Sequence, residues 1–127
     1  MSTDTNERAA KIRSLNDEFR CSIKGGRVFL TRGVLARGHL FVGAAIAAVR
    51  EFSDFTEDND PHGEHDFGAF DHDGERLNWK IDYYATDDVR IKWRENEYTP
   101  ELEFGSEHPE DPAVTHRVLT ILLADEY

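Results

Sequence analysis

The alternation from Arg76 to Tyr84, RLNWKIDYY, placed directly after Asp73-Gly74, constrains the fold more than any other stretch of the chain. Asp-Gly between two strand-like runs is a strong hairpin signal, because both central residues of a type I′ turn need positive φ. Leu77, Trp79, Ile81 and Tyr83 share one parity and form an apolar face, so any fold must contain a sheet that buries this row. The preceding arm, Glu64 to Asp71, fits two registers. A two-residue Asp73-Gly74 loop sets Gly68 opposite Trp79, Asp71 opposite Arg76 and His65 opposite Asp82. A three-residue loop that includes His72, with a bulge at the glycine, sets Phe67 opposite Trp79 and Asp66 opposite Lys80. A slip of one residue reverses the faces, and local sequence leaves both registers open.

Helical periodicity precedes the hairpin. Ala9, Ile12, Leu15 and Phe19 recur at three- and four-residue steps, with Thr3 or Thr5 as cap and Glu7 in the first turn. The opposite face carries Arg8, Lys11, Arg13 and Arg20 and reads as solvated surface. Gly25-Gly26 breaks the chain before a short strand, Arg27 to Thr31. After Gly38, LFVGAAIAAVREF has two adjacent apolar stripes, Phe41/Ala45/Ala48/Phe52 and Val42/Ile46/Val49, which predicts a buried central helix. Beyond the hairpin, Val89 to Arg94 alternates strictly, and Leu102 and Phe104 alternate with Glu101 and Glu103. The apolar run within His116 to Ala124 reads as a buried strand, although 118–123 is short enough to suit a helix too. The expectation is one α+β domain over 1–127: two N-terminal helices packed on one face of an antiparallel, largely meander β-sheet of about four to five strands.

Charge is distributed unevenly along the chain. Residues 1–50 hold nine Lys/Arg and four Asp/Glu, a sum of +5, and residues 51–127 hold six against twenty-two, a sum of −16, which together give −11. Nucleic-acid binding needs cations to replace phosphate counterions, so direct binding by the acidic part is disfavoured. Cys21 is the single cysteine and allows no intrachain disulfide; at a helix end it reads as a small packing residue. The N-terminus has no apolar leader core, and the stretch Leu40 to Val49 is shorter than the roughly 20 residues of a membrane span. These features point to a cytoplasmic protein without membrane association.

Chemistry-bearing residues concentrate between Asp54 and Asp66. Asp58, Asp60, Gly63 and Asp66 occupy the first, third, sixth and ninth places of an EF-hand-like loop, but Ala69 stands where the bidentate glutamate belongs. Asp58, Asp60, His62, His65 and Asp66 remain candidates for a divalent metal, because imidazole and carboxylate form a common mixed ligand set. His65 beside Asp82 is the candidate acid–base pair, with Tyr83 and Tyr84 as proton donors. No activated Ser or Cys stands nearby in sequence. The third reading needs no chemistry: Glu57, Asp58, Asp60, Glu64 and Asp66 form an acidic surface for a protein partner with a basic surface, or for mimicry of DNA.

The blocks DFTEDNDPHGEHDFGAF, LNWKIDYY and DPAVTHRVLTILLADEY, with TNERAAKIRSLND before them, resemble a bacterial family known as domain of unknown function 3768. The resemblance implies an accessory gene product of plasmids and other mobile elements, and it brings no activity, cofactor or catalytic residue. Thr86 to Pro100 departs from the pattern, which makes 86–100 a strand-pair insertion relative to the family. The reading as a whole is a non-enzymatic interaction module that needs no cofactor. The alternatives are a small metal-assisted or His-dependent enzyme and a DNA-mimic inhibitor.

Overall fold

The computed structural model describes residues 3–85 and 105–127. Helix α1 spans Thr3–Ser22, strand β1 Gly26–Leu30, helix α2 Arg32–Leu35 and helix α3 His39–Glu51. Strands β2 (Phe67–His72), β3 (Glu75–Ala85) and β4 (Thr115–Leu123) follow, and a single 3-10 turn, Ala124–Glu126, closes the described chain. The sheet has four strands in the order β1-β4-β3-β2.

This is an α+β fold with a mixed sheet, and it corrects the expected antiparallel meander. β2–β3 and β3–β4 are antiparallel, but β1 runs parallel to β4, with Gly26 opposite Arg117 and Leu30 opposite Ile121. The physical reason is the crossover after β1. Once α2 and α3 lie over one face, the chain returns at the far edge of the sheet, and β4 fills the gap between. There are also three helices before the hairpin, because Thr31 to Leu35 turns once before α3 begins.

The hairpin takes the two-residue loop. Asp73 and Gly74 both have positive φ (50° and 76°), and His72 pairs with Glu75, Asp71 with Arg76 and Gly68 with Trp79. Gly68 is required there: a Cβ would collide with the Trp79 indole and lie 2.9 Å from Phe52 Cε1. The 118–123 run is strand. The expected strands at 89–94 and around 102–104, and the 86–100 insertion, lie outside the described residues.

The core forms between the helices and one sheet face. Phe19, Val34, Phe41, Ala45 and Val49 meet Leu77, Trp79, Ile81, Leu119, Ile121 and Leu123. Trp79, fully buried, sits at its centre. α3 is less enclosed than its two stripes suggested, because Leu40 is 80% exposed and Gly43 and Ala47 face solvent. Two further expectations on α1 are corrected. Cys21 is exposed rather than packed, since it lies beyond the stripe that Phe19 ends. Arg20 is 3% exposed rather than solvated, because it follows that stripe directly and turns inward.

Candidate functional site

Residues 52–66 wrap the end of the sheet beside α1, and aromatic rings fix where they lie. Phe52 and Phe55 meet edge-on at 5.0 Å between centroids, and both stand edge-on to Trp79, at 5.5 and 6.1 Å. Arg20 supports the entry to the loop, donating from Nη1 to the carbonyls of Val49 and Phe52 at 2.8 Å each. Val49 lies in the last turn of α3 and Phe52 is its C-cap, where carbonyls run out of i+4 donors within the helix.

Short polar residues then turn the chain back on itself. The Thr56 N–H donates to Asn59 Oδ1 at 2.8 Å, and Asn59 Nδ2 donates to the Asp54 carbonyl at 2.8 Å. Asp60 is buried, and its Oδ1 accepts the N–H groups of both Glu64 and His65 at 3.1 Å. That carboxylate caps the turn as an N-cap aspartate caps a helix. It also holds His65 at φ 55°, where a non-glycine residue needs such support.

His65 lies between two carboxylates. Its Nδ1 is 2.9 Å from Asp17 Oδ1 on α1, and its Nε2 is 3.5 Å from Asp60 Oδ2. The imidazole stacks flat on Phe55, with centroids 3.7 Å apart and planes 3° from parallel. Asp17 also takes Arg20 Nη2 at 3.1 Å. Both ring nitrogens therefore face carboxylates of the fold, and the ring joins the loop to α1.

A second polar cluster lies beneath. Asn16 is fully buried; its Nδ2 donates to the Glu64 carbonyl at 3.0 Å and to the Tyr83 hydroxyl at 2.8 Å. Its Oδ1 accepts from Arg117 Nε at 2.7 Å, so every polar atom of the amide is used. Arg117, also buried, donates from Nη2 to the Pro109 carbonyl and lies over the Tyr83 ring at 5.2 Å. Tyr83 donates its hydroxyl to Glu64 Oε1 at 3.2 Å. Burial, ahead of the nearby acids Asp66 and Glu64, raises the Tyr83 pKa well above the ordinary phenol range. Burial lowers that of Arg117. Asp66 is raised, chiefly by burial and then by the neighbouring Glu64 carboxylate.

The candidates named from sequence thus separate. Asp60, Glu64 and His65 converge against α1 with Asp66 beside Glu64, whereas Asp82 does not join them. Strand pairing begins only at Phe67, and Asp82 sits opposite Val118 with Lys80 Nζ at 3.3 Å. The His65–Asp82 pair is not formed, because the turn at Asp60 swings His65 toward Asp17 before β2 begins. Tyr84 is raised by burial and then by Asp82. His62 is exposed on the rim of a cleft of about 540 Å³, between Arg8 and Ile12 on one side and Asp60 and Glu64 on the other. Among the described residues, no three or more His, Cys, Asp or Glu side chains are arranged to hold a metal ion. Asp54, Glu57 and Asp58 are exposed, and among the described residues their carboxylates make no ion pair or hydrogen bond.

Asn16, Asp17, Arg20 and Arg117 were missed from sequence. Two of them left a signal. Asn16 interrupts the stripe between Ile12 and Phe19, and Arg117 shares the buried parity of Leu119, Ile121 and Leu123.

The chain belongs to the family described as a protein of unknown function, DUF3768, which it matches over residues 30–126. The matched span holds α2, α3 and β2 to β4, and α1 with most of β1 precedes it. No curated protein and no solved structure matches the chain. Among the described residues, no helix is long and apolar enough to cross a membrane.

Proposed function

We propose that this protein is a non-enzymatic interaction module of mobile-element biology, which presents the outer part of its acidic loop to a basic surface on a protein partner. The observation that carries the reading is the contrast within that loop. Asp60 and Glu64 are engaged by hydrogen bonds and Asp66 is half-buried, while Asp54, Glu57 and Asp58 stand exposed and unpaired among the described residues. Their backbone is fixed by the Thr56–Asn59 and Asp60 bonds, so little ordering entropy is lost on binding. Exposed carboxylates of this kind raise association rates and select partners by charge.

The test replaces Asp54 and Asp58 by Asn and Glu57 by Gln together, and compares capture of protein from host lysate on immobilised wild-type and variant chains. Loss of capture at unchanged circular dichroism is expected, and captured protein should elute as salt is raised. Equal capture by the triple variant overturns the reading.

A further inference from the structure

Among the described residues β2 is an edge strand, with β3 on one side and no strand on the other. The type I′ turn makes His72–Glu75 a hydrogen-bonded pair, and the Ile81 N–H donates to the Asp66 carbonyl at 2.8 Å, so Asp66, Gly68, Phe70 and His72 direct their backbone groups to β3. Phe67, Ala69 and Asp71 direct theirs outward. Among the described residues nothing accepts or donates to them. The strand carries no proline, lysine or bulge between Phe67 and His72, and Asp71 is its one acidic side chain.

Its sequence is complementary to itself about Ala69. In an antiparallel pairing centred there, Ala69 meets Ala69 of the other copy, where two methyl groups allow close approach. Phe67 meets Asp71, and Gly68 meets Phe70, whose ring extends the Phe52–Trp79 cluster that already fills the space above Gly68. One step further out, His72 comes opposite Asp66. This places a base against a carboxylate at each end of the junction and keeps the two Asp71 side chains apart.

We propose that β2 pairs antiparallel with β2 of a second copy of this chain, about a two-fold axis at Ala69, so that the two sheets become one. Such an interface is isologous and closes at the dimer. Each outward pair, Phe67–Asp71, Ala69–Ala69 and Asp71–Phe67, exchanges both of its backbone bonds. Two copies of net charge −11 repel each other, so dimerisation strengthens as salt screens that repulsion.

Sedimentation equilibrium of the full chain, together with amide hydrogen exchange, tests the proposal. The mass should rise toward that of a dimer with concentration. The amides of Phe67, Ala69 and Asp71 should exchange fast in dilute protein and slow in concentrated protein, while those of Gly68, Phe70 and His72 stay slow throughout. Ala69→Lys should weaken dimerisation at least tenfold by opposing two ammonium groups. Ala69→Pro, which removes an outward N–H and no ladder bond to β3, should abolish it; if the proline's fixed φ disturbs the fold, the lysine variant decides. A chain that stays monomeric up to about 1 mM, a dissociation constant equivalent to only about −4 kcal/mol, overturns the proposal. So does a dimer that Ala69→Lys leaves intact.

Discussion

Two halves of one acidic segment use the same residue type in opposite ways. Between Asp54 and Asp58 the carboxylates face solvent, and between Asp60 and Asp66 they fold inward, where Asp60 accepts two backbone N–H groups and Glu64 accepts the Tyr83 hydroxyl. Charge density along the chain does not distinguish them. What does is the supply of donors: the inner carboxylates meet the Glu64 and His65 N–H groups and the Tyr83 hydroxyl, and α1 holds that half of the loop in place through Arg13 on the Gly63 carbonyl, Asn16 on the Glu64 carbonyl and His65 on the Asp17 carboxylate. A run of acids thus stays exposed where the described fold offers its carboxylates nothing to bond.

The strongest way to break this contrast is to remove the inner donor. Asn16→Leu leaves the buried Arg117 Nε and the Glu64 carbonyl without partners and should cost about 3 kcal/mol of stability, because an unsatisfied buried charge is expensive. Urea unfolding measures it. A loss below about 1 kcal/mol would mean that water replaces the amide, and the inner half would then differ from the outer only in degree. A paired comparison sharpens the point at smaller magnitude. Asp60→Ala should cost about 1–2 kcal/mol, as the loss of a capping acceptor does, and Asp58→Ala should fall within about 0.5 kcal/mol of wild type. Equal effects would erase the boundary between the halves.

The smallest effect concerns pH. Asp66 has a raised pKa in the folded state, from burial and then from Glu64. Its contribution to stability is therefore full below the ordinary aspartate range and is lost as pH rises through the folded-state value. Asp66→Asn should melt higher than wild type at pH 7, and the gap should close as pH falls to about 4, near the unperturbed aspartate pKa. A gap that is constant with pH would place the Asp66 carboxyl in solvent.

What the sequence revealed follows the range of the interactions. The hairpin was legible because Asp73-Gly74 and the Leu77–Tyr83 alternation are local, and Trp79 opposite Gly68 was one of only two registers. β4 was legible as a strand through its apolar run, but its parallel partner was not, since nothing in RVFL names a neighbour 91 positions away (Gly26 to Arg117). The site was legible as a segment and misread as a constellation. Strand register alone would extend β2 back to His65 and set it against Asp82, whereas the Asp60 cap ends that geometry two residues before the strand. Arg20 reads as surface in the sequence because nothing local shows that the carbonyls of Val49 and Phe52 at the end of α3 lie within its reach.

The placement of β4 bears on how the molecule assembles. Every pair in the β1–β4 ladder joins residues 91 apart, from Gly26–Arg117 to Leu30–Ile121, and β4 also supplies one side of β3. The β2–β3 hairpin can form by itself in microseconds, whereas closing so long a loop loses chain entropy before any contact compensates it. Until β4 docks, the Leu77–Trp79–Ile81 row has only half its sheet, and among the described residues β1 has no other strand to pair with. Contact order alone then makes the insertion of β4, a late strand between two earlier ones, the expected slow step of folding.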